Sequence, residues 1–462
     1  MFAKETYINR RNALKTKVKS GIILIPGNEE SAMSYPDNTY HFRQDSNFLY
    51  FFGLNHPHFI GLIDIDNNTD YLFGDDVEID DIIWMGPQPS IASLAEQVGI
   101  NHTDKYNVIY NLVRDAVAKG RKIHFLPTYR GEQNLFYQDL LGIHPNLLAN
   151  YFSTELIKSV VELRSVKDKD EINEIEKAIE IGYEMHTTAM RMCKPGVMES
   201  DIAGAIEGIA IARGSMISFP VILSQNGETL HNHYHGNKLE KGRLMLTDAG
   251  AETTMNYCSD NTRTIPVNGK YTQQQAEIYQ TVLDANLKTI ALSKPGIKYM
   301  DVHLASAKVI AEGLKSIGLM KGNIDDAVNL GAHALFYPHG LGHMMGLDVH
   351  DMEGLGENNV GYDETISRSS IFGTAYVRLA KQLKPGYVFT DEPGIYFIPA
   401  LIDMWKKENK FTDFINYDKL DAYRSFGGIR IEDDLLVTET GCRVLGKAIP
   451  KTINELEKIV GK

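Results

Sequence analysis

The sequence has few cysteines, no long apolar run and no excess of positive charge. Its three cysteines, Cys193, Cys258 and Cys442, are far apart and form no CxxC pair. A disulfide framework is therefore not expected, which is typical of proteins from a reducing cytosol. The only apolar run near the N-terminus, Ile22 to Ile25, is too short for a signal peptide or a membrane span. We expect a cytoplasmic protein that does not enter membranes.

The net charge of −13 argues against nucleic acid as a partner, because nucleic-acid binding requires clustered Lys and Arg. Hydrophobic residues make up 43% and charged residues 23% of the chain, which is typical of globular proteins. A length of 462 residues favours two domains.

The first third of the chain alternates strand-like and helix-like segments. GIILIP, FIGLIDID, TDYLFG and KIHFLP are typical of buried strands, and residues 90–99 and 104–119 of amphipathic helices. This alternation predicts an α/β domain over residues 1–155, which the family resemblance given below implies to be non-catalytic. The linker candidate is HPNLLANYFSTELIKSVVELRSVKD, and a second domain is predicted over residues 156–462.

The second domain contains a repeated pattern. One helix that begins at Asp168 ends at the tripeptide KPG, and the helix DIAGAIEGIAIARG follows it. One hundred residues later, TQQQAEIYQTVLDANLKTIALS also ends at KPG and is followed by DVHLASAKVIAEGLKSIG. The matched helices on both sides make a chance recurrence of KPG the weaker explanation. We interpret the pattern as an internal duplication, whose two halves would share a site between them.

Acids and histidines follow each of the two helix pairs. LMLTDAG and the segment TMNYCSDNTRTIPV predict an antiparallel pair that can bring Asp248 and Asp260 to facing positions, although either residue alone is also typical of a turn or an edge. The second half contains HGLGHMMGLDVHD, Glu392 in DEPGIY and Glu432 in IRIEDD. Two aspartates, two glutamates and one or more histidines suit a carboxylate-rich site for two divalent cations, with Mn²⁺ favoured and Co²⁺ or Zn²⁺ possible.

The order DAG, SDNTRT, HGLGH, EPGIY, RIEDD resembles the M24 family of "pita-bread" metallopeptidases, in the branch of aminopeptidase P and prolidase. FRQDSNFLYFFGL and IWMG resemble the N-terminal domain of that branch, so the resemblance covers nearly the whole chain. It implies an α/β N-terminal domain followed by a duplicated pita-bread domain that holds two metals. By this resemblance Asp260 and Glu432 bridge both metals, Asp248 binds one, and His343 and Glu392 bind the other.

The resemblance also implies roles around the substrate. His231, His339 and His350 match histidines that surround the substrate, whereas His233, His235, His303 and His333 have no match and are expected to lie at the surface or to fill the core. Arg430 lies on the strand face of Glu432, where it can bind a carboxylate or orient the site, or serve only as the charge partner of Glu432. Trp84 in IWMG is expected in the core, with closure of the pocket as the alternative.

Two features depart from the family pattern. The spacing from Asp248 to Asp260 is twelve residues, one more than is usual, so the extra residue must sit in the turn or in a bulge if Asp260 is to face the site. Asp391 stands where the family has a small apolar residue. In a strand Asp391 would face away from the metals, and we expect it to form a local hydrogen bond and not to be a ligand.

The resemblance implies an Xaa-Pro aminopeptidase that acts on peptides with proline at the second position. In the implied mechanism a hydroxide that bridges two metals attacks the scissile carbonyl, His350 or His231 polarises the carbonyl oxygen, and Glu392 carries the proton to the leaving nitrogen. An Xaa-Pro dipeptidase (prolidase) is the near alternative. Metal-free hydrolysis of the creatinase type and a non-catalytic binding module are distant ones, because both lack the ligands. Members of this branch are commonly homodimers or homotetramers.

Overall fold

The computed structural model describes residues 1–214 and 216–462, which form two compact units. The first unit contains residues 1–164 and 353–359, and the second contains residues 165–352 and 360–462. The linker candidate is largely helical, since it contains a 3-10 helix at Pro145–Asn150 and a helix at Thr154–Ser165. The predicted functional domain boundary after residue 155 stays a prediction.

The first unit is built on a mixed five-stranded sheet with the order β4-β3-β2-β1-β5. β1 pairs antiparallel with β2 and parallel with β5, while β3 pairs antiparallel with β2 and parallel with β4. The strands are β1 Ile22–Pro26, β2 Ile60–Asp64, β3 Thr69–Phe73, β4 His102–Asp104 and β5 Ile123–His124. The helices are α1 Lys4–Val18, α2 Ser46–Phe52, α3 Ile79–Met85, α4 Ile91–Gln97, α5 Val108–Ala118, α6 Gly131–Leu141 and α7 Thr154–Ser165.

Helix α3 differs from its neighbours because none of its residues is buried. The side chain of Trp84 on this helix is 87% exposed. The expectation that Trp84 lies in the core is therefore wrong. The apolar residues of α3 thus lie on a short helix that is largely exposed.

The second unit contains the remaining regular elements, except that the 3-10 helix Glu353–Leu355 and most of helix α13 lie in segment 353–359 of the first unit. Its helices are α8 Lys169–Met192, α9 Glu199–Ala212, α10 Gln273–Leu292, α11 Tyr299–Ser316, α12 Ile324–Leu330, α13 Glu357–Val360, α14 Pro399–Lys407, α15 Tyr417–Leu420 and α16 Ile453–Ile459. Its strands are β6 Met216–Ile217, β7 Ile222–Ser224, β8 Leu244–Ala249, β9 Ala251–Glu252, β10 Asn261–Pro266, β11 Val388–Asp391, β12 Gly394–Tyr396, β13 Gly428–Arg430, β14 Asp433–Val437 and β15 Cys442–Val444. Further 3-10 helices lie at Ala332–Leu335, Glu353–Leu355, Thr374–Tyr376 and Asp421–Tyr423.

The structure repeats itself at the two KPG tripeptides. After the first, Gly196 N donates to Leu239 O at 2.8 Å, and after the second, Gly296 N donates to Leu383 O at 2.9 Å. The helix before each KPG begins with a capping box, formed by Asp168 for α8 and by Thr272 for α10. Five residues after each bonded leucine a strand begins, β8 in the first half and β11 in the second. The predicted duplication is therefore present in the fold.

The strands of each half form an antiparallel three-stranded sheet. In the first half β8 lies between β7 and β10, and in the second β14 lies between β11 and β15. Among the described residues, one isolated β-bridge, Thr262 to Glu432, joins the two sheets. The helices pack around this centre in one continuous apolar core. Among the described residues, no helix is long and apolar enough to cross a membrane.

Candidate metal centre

All the residues proposed from the sequence as ligands or catalytic groups line one cavity of the second unit. The cavity has a volume of about 210 Å³. These residues are Asp248, Asp260, His343, Glu392, Glu432, His231, His339, His350 and Arg430. The structure therefore brings together side chains that are separated by up to 201 positions along the chain, from His231 to Glu432. Their individual roles stay predictions.

The two aspartates lie on the hairpin of the first half. Asp248 on β8 is opposite Thr262 on β10, so the two aspartates are diagonal neighbours and do not face each other directly. Asp260 lies two residues before Thr262 and thus on the same face of the hairpin as Asp248. The expectation that Asp248 faces Asp260 was wrong by two residues, because Asp248 is opposite Thr262. Side chains alternate along a strand, so both carboxylates still point into the cavity.

The extra residue of the twelve-residue spacing sits in the turn. The register of β8 and β10 continues without a bulge, because Ser259 N donates to Ala251 O at 2.9 Å and Thr253 N donates to Tyr257 O at 2.9 Å. The three residues that remain form the turn, and its last residue, Asn256, has a φ of 64°. An asparagine tolerates this left-handed conformation better than most residues do. The register of Asp260 is therefore kept.

Gly250 lies opposite Asp260, and its lack of a side chain is required there. A Cβ atom at this position would lie 1.8 Å from the carbonyl oxygen of Ser259. Such a contact forces the two strands apart, so the glycine of the DAG motif permits the close pairing that places Asp260 beside Asp248.

The two glutamates lie between two antiparallel strand pairs of the second half. β11 pairs with β14 so that Asp391 is opposite Asp433, and β12 pairs with β13 so that Gly394 is opposite Arg430. Both pairs belong to one register, in which Glu392 is opposite Glu432. Since side chains alternate along a strand, Glu392 and Glu432 face the cavity while Asp391 and Asp433 face the opposite side.

Reciprocal contacts reveal a pseudo-twofold relation at the bridge between Thr262 and Glu432. Arg430 N donates to Thr264 Oγ1 at 3.1 Å on one side, and Asp260 N donates to Asp434 Oδ2 at 3.1 Å on the other. The relation makes Asp260 equivalent to Arg430, and Thr262 equivalent to Glu432. The duplicated backbone thus carries an asymmetric set of charges.

His343 is held with one ring nitrogen directed at the carboxylates. Its backbone pairs with Thr390, whose N donates to His343 O at 2.9 Å. A Cβ on Gly342 would lie 2.0 Å from Thr390 O, so only glycine permits this approach. His343 Nδ1 lies 3.0 Å from Met344 O, which fixes the proton on Nδ1. His343 Nε2, left as an acceptor, lies 3.4 Å from Asp260 Oδ2 and 3.8 Å from Glu392 Oε1.

The donor atoms fit a divalent cation. One ligand atom each from Asp260, His343 and Glu432 lie within 4.8 Å of one another, and all three residues are buried. Oδ1 of Asp248 and Oδ1 of Asp260 are buried with no hydrogen-bond partner among residues 1–214 and 216–462. A buried, unpartnered carboxylate oxygen is costly unless a cation or a donor meets it. Carboxylates with one imidazole are the ligands that Mn²⁺, Co²⁺ and Zn²⁺ accept.

Burial shifts the proton affinities of these groups strongly. It raises the pKa of Asp260 well above its ordinary value, and neighbouring Glu432 and Asp248 raise it further. It raises the pKa of Glu432 in the same way and that of Glu392 to about 7, the latter against the lowering effect of Arg430. Burial lowers the pKa of His343, so its ring is neutral. Divalent cations would stabilise the charged carboxylates that burial disfavours.

Arg430 fixes one side of the site through three contacts. Its Nη2 donates to Asp248 Oδ2 at 2.5 Å, its Nη1 to Tyr396 Oη at 2.8 Å and its Nε to Thr262 Oγ1 at 3.1 Å. The hydroxyl of Thr262 in turn donates to Glu432 Oε2 at 2.7 Å. Arg430 therefore forms an ion pair with Asp248 and contacts Glu432 through the hydroxyl of Thr262. Its positive charge also lowers the pKa of Glu432, against the larger effect of burial, so both roles expected from the sequence stay predictions.

The histidines around the cavity differ in their environments. His339 Nε2 lies 2.8 Å from Tyr396 Oη and its Nδ1 lies 3.8 Å from Glu392 Oε2. Burial lowers its pKa to about 3, so the ring is neutral. The ring of His350 stacks edge-on against His343 with centroids 4.1 Å apart. His233, for which no role was expected, also lies in the cavity wall, while His303 and His333 are buried as expected.

Sequence reasoning missed several cavity residues. Tyr376 and Arg378 lie in the wall, within a stretch that has little regular structure, and apolar side chains line the same cavity: Phe219, Pro220, Ile222, Leu230 and Val349. The positive charge of Arg378 lowers the pKa of His231 and His339, although less than burial does. No motif marks these residues, since the positions become neighbours only through the fold.

Comparison with known proteins gives two family matches. The model of metallopeptidase family M24 matches residues 173–439, and that of the aminopeptidase P N-terminal domain matches residues 7–124. A human Xaa-Pro dipeptidase is 31% identical over 94% of this chain and 88% of its own length. A probable Xaa-Pro aminopeptidase of Sordaria macrospora is 32% identical over 96% of this chain and 91% of its own length.

The structure is also similar to solved structures. Aminopeptidase P from Escherichia coli with the inhibitor Pro-Leu has a TM-score of 0.81 and 28% identity, and the match covers 99% of this chain and 98% of that one. The match spans both units of the chain. It confirms the fold that the sequence resemblance implied, an aminopeptidase P-type N-terminal domain followed by a pita-bread domain.

Proposed function

This chain belongs to metallopeptidase family M24, whose members are hydrolases, and we propose that it is an Xaa-Pro aminopeptidase that removes the N-terminal residue of peptides with proline at the second position. The observation that supports this best is the convergence of Asp260, His343 and Glu432 within one buried cavity. The complete set of five ligand residues counts against a non-catalytic binding module and against metal-free hydrolysis of the creatinase type.

We propose that Asp248, Asp260, His343, Glu392 and Glu432 hold two divalent cations, Mn²⁺ in the first place. Bound there, two such cations would lower the pKa of a shared water and so supply a hydroxide nucleophile near neutral pH. We propose that the carboxylates of Asp260 and Glu432 would be shared between the two cations, because each is buried, offers two oxygens and lies close to His343.

Peptide hydrolysis adds water across the C–N bond, so one proton must reach the departing nitrogen. In an Xaa-Pro bond this nitrogen is a tertiary amide with no hydrogen of its own. Glu392, which lines the cavity beside the other carboxylates, can take a proton from the attacking water and deliver it to the proline nitrogen. We propose that His231 or His350, both in the cavity wall, donates to the carbonyl oxygen as it becomes negative.

The network of Arg430 supports this chemistry by holding other groups in place. Arg430 fixes Asp248 and the hydroxyl of Tyr396, and Tyr396 fixes His339. The guanidinium of Arg430 thus donates three hydrogen bonds to other residues of the site. We assign Arg430 and His339 to orientation of the site, with His339 near the scissile group.

The near alternative is an Xaa-Pro dipeptidase, the name that the human relative carries. Arg378 favours this alternative, because its guanidinium lines the cavity and a dipeptide presents a free carboxylate next to proline. A longer substrate has no carboxylate at that point.

The test compares Ala-Pro with Ala-Pro-Ala on protein stripped by a chelator and then given Mn²⁺. Faster release of alanine from the tripeptide supports the aminopeptidase, and faster release from the dipeptide makes the protein a dipeptidase. R378M lowers dipeptide cleavage selectively if Arg378 binds the free carboxylate, and E392Q serves as the inactive control. Cleavage of neither peptide with Mn²⁺ present contradicts the proposal. A cytoplasmic location and a homodimer or homotetramer stay predictions.

A further inference from the structure

Asp391 departs from the family pattern and lies behind the metal centre. Its side chain is fully buried and does not line the cavity. Asp391 Oδ2 accepts hydrogen bonds from Asn286 Nδ2 and Thr289 Oγ1, each at 2.9 Å, and Tyr299 Oη lies 3.4 Å from Asp391 Oδ1. Asp391 is hydrogen-bonded as expected, but its partners are 92 to 105 positions away along the chain and not local.

The contacts continue from Asp391 to Asp433. Asn286 Oδ1 accepts from Lys451 Nζ at 2.8 Å, and the same ammonium group lies 2.6 Å from Asp433 Oδ2. The other oxygen of Asp433 accepts from Arg263 Nη2 at 2.7 Å. We call Asp391, Asn286, Lys451 and Asp433 the rear network. Its members join strands β11 and β14 to helix α10 and to the C-terminal segment.

The rear network touches both strands that carry the candidate glutamate ligands. Asp391 immediately precedes Glu392, and Asp433 immediately follows Glu432. Asp391 and Asp433 are opposite each other in the pairing of β11 with β14. Because side chains alternate along strands, a shift of either aspartate moves the neighbouring glutamate in the cavity.

The cation of the rear network comes from outside the segment that the family model matches. That match ends at residue 439, whereas Lys451 lies twelve positions later. The C-terminal segment is anchored where it supplies this lysine, since Tyr279 Oη donates to Lys451 O at 2.7 Å and Arg263 Nε donates to Pro450 O at 3.0 Å. The lysine side chain is only 19% exposed, so its charge is directed inward at Asp433.

We propose that the rear network is a positioning device, in which Lys451 and Asn286 set the placement of Glu392 and Glu432 and thereby the affinity of the site for divalent cations. The proposal rests on the metal site described under the proposed function. Loss of one partner leaves a buried carboxylate or amide without its hydrogen bond, and the strands shift to recover one. Residues that orient metal ligands in this way typically change metal affinity by about 10- to 100-fold.

The experiment measures Mn²⁺ affinity by equilibrium dialysis for the full-length protein and five variants. K451M and D391V remove one member each, while K451R and D391N keep the charge or the acceptor oxygen. K458M is the matched control, because Lys458 is an exposed lysine on the same C-terminal segment. Circular dichroism at the assay temperature verifies that each variant is folded.

We expect K451M and D391V to bind Mn²⁺ about 10- to 100-fold more weakly, with K451R, D391N and K458M close to the unmodified protein. Unchanged affinity in both K451M and D391V overturns the proposal, as does equal weakening in K451R and K451M. Failure of the unmodified protein to bind Mn²⁺ overturns it as well. If the expected pattern holds but no Xaa-Pro peptide is cleaved, the proposed function fails and the rear network stands.

Discussion

Arg430 supplies a buried positive charge beside the carboxylates of the candidate metal centre. Its guanidinium is buried, pairs with Asp248 and is separated from Glu432 by the hydroxyl of Thr262. By the pseudo-twofold relation it occupies the position that Asp260 occupies in the other half. One duplicated position thus supplies a ligand carboxylate in the first half and a guanidinium in the second, which orients another ligand.

The pairing of Arg430 with Asp248 predicts the behaviour of R430M. In the presence of a chelator we expect this variant to be about 3–5 kcal/mol less stable than the unmodified protein, because Asp248 keeps a buried charge without its partner. Mn²⁺ should raise the melting temperature of R430M more than that of the unmodified protein, since the cation replaces the lost charge. Thermal melting with and without Mn²⁺ measures both effects.

R424M is the control, because Arg424 forms ion pairs at the surface. Such pairs contribute little, so R424M should melt close to the unmodified protein in both conditions. An R430M protein whose stability and response to Mn²⁺ match those of R424M contradicts the role assigned to Arg430.

Among individual residues, the sequence predicts the acidic residues and histidines of the site but not the residues that hydrogen-bond to them. Asp248, Asp260 and Glu432 stand in motifs whose residue types already suit metal binding. Thr262 and Tyr396 became visible only in the structure, because their contacts with Glu432 and Arg430 join segments that are 34 to 170 positions apart. Hydroxyl groups of this kind are common in strands and carry no local signal.

The paired strands of the two halves position the candidate ligands, and each set of strands has an unbroken register. In the first half the register runs from the pair Leu244–Pro266 to the pair Thr253–Tyr257. In the second half the pairing of β11 with β14 and that of β12 with β13 have the same register. Period-two alternation then decides which carboxylates face the cavity. Insertion or deletion of one residue within a paired strand moves a ligand to the other face, whereas the same change in the turn does not.

This difference predicts opposite results for two single-residue deletions. Deletion of Thr254 shortens only the turn and restores the usual eleven-residue spacing, so we expect Mn²⁺ binding to remain within about threefold of the unmodified protein. Deletion of Ala251 shifts the register and turns either Asp248 or Asp260 away, so Mn²⁺ binding should be lost. Equilibrium dialysis on the two folded variants measures this, and equal affinities in both variants contradict the register described above.

The elements that the sequence predicted well have strong local signals. Helices α8 and α10 begin at capping boxes and repeat apolar residues at helical spacing. Helix α1 was missed, because two of its buried residues are Arg10 and Arg11. Arg11 is satisfied by Asp70 and by the carbonyl oxygens of Phe51 and Val98, which lie 40 to 87 positions away. Such distant partners leave no periodic pattern in the sequence.

For the molecule as a whole, the candidate site links stability to pH and to cations. The pKa of Glu392 is about 7 in the folded protein, above its ordinary value of 4.5. The folded chain therefore holds a proton on Glu392 that the unfolded chain releases above pH 4.5. The contribution of Glu392 to stability thus falls as the pH rises from 4.5 to 7 and is constant above that range.

E392Q removes this dependence because glutamine does not titrate. In the presence of a chelator, we expect E392Q to gain stability relative to the unmodified protein as the pH rises from 5 to 8, by up to roughly 3 kcal/mol. With Mn²⁺ at pH 8 the order should reverse, because only the carboxylate binds the cation. Chemical denaturation at the two pH values measures the difference, and a difference that does not change with pH contradicts the burial effect assigned to Glu392.

The central claim is that the duplicated domain holds two divalent cations between its halves. Its most direct test is the stoichiometry of bound Mn²⁺, measured by equilibrium dialysis and elemental analysis on the stripped protein and on D260N. We predict two Mn²⁺ per chain for the unmodified protein and fewer than one for D260N, because Asp260 is proposed to bridge both cations. No bound Mn²⁺ in the unmodified protein, or two per chain in D260N with unchanged affinity, would contradict the claim.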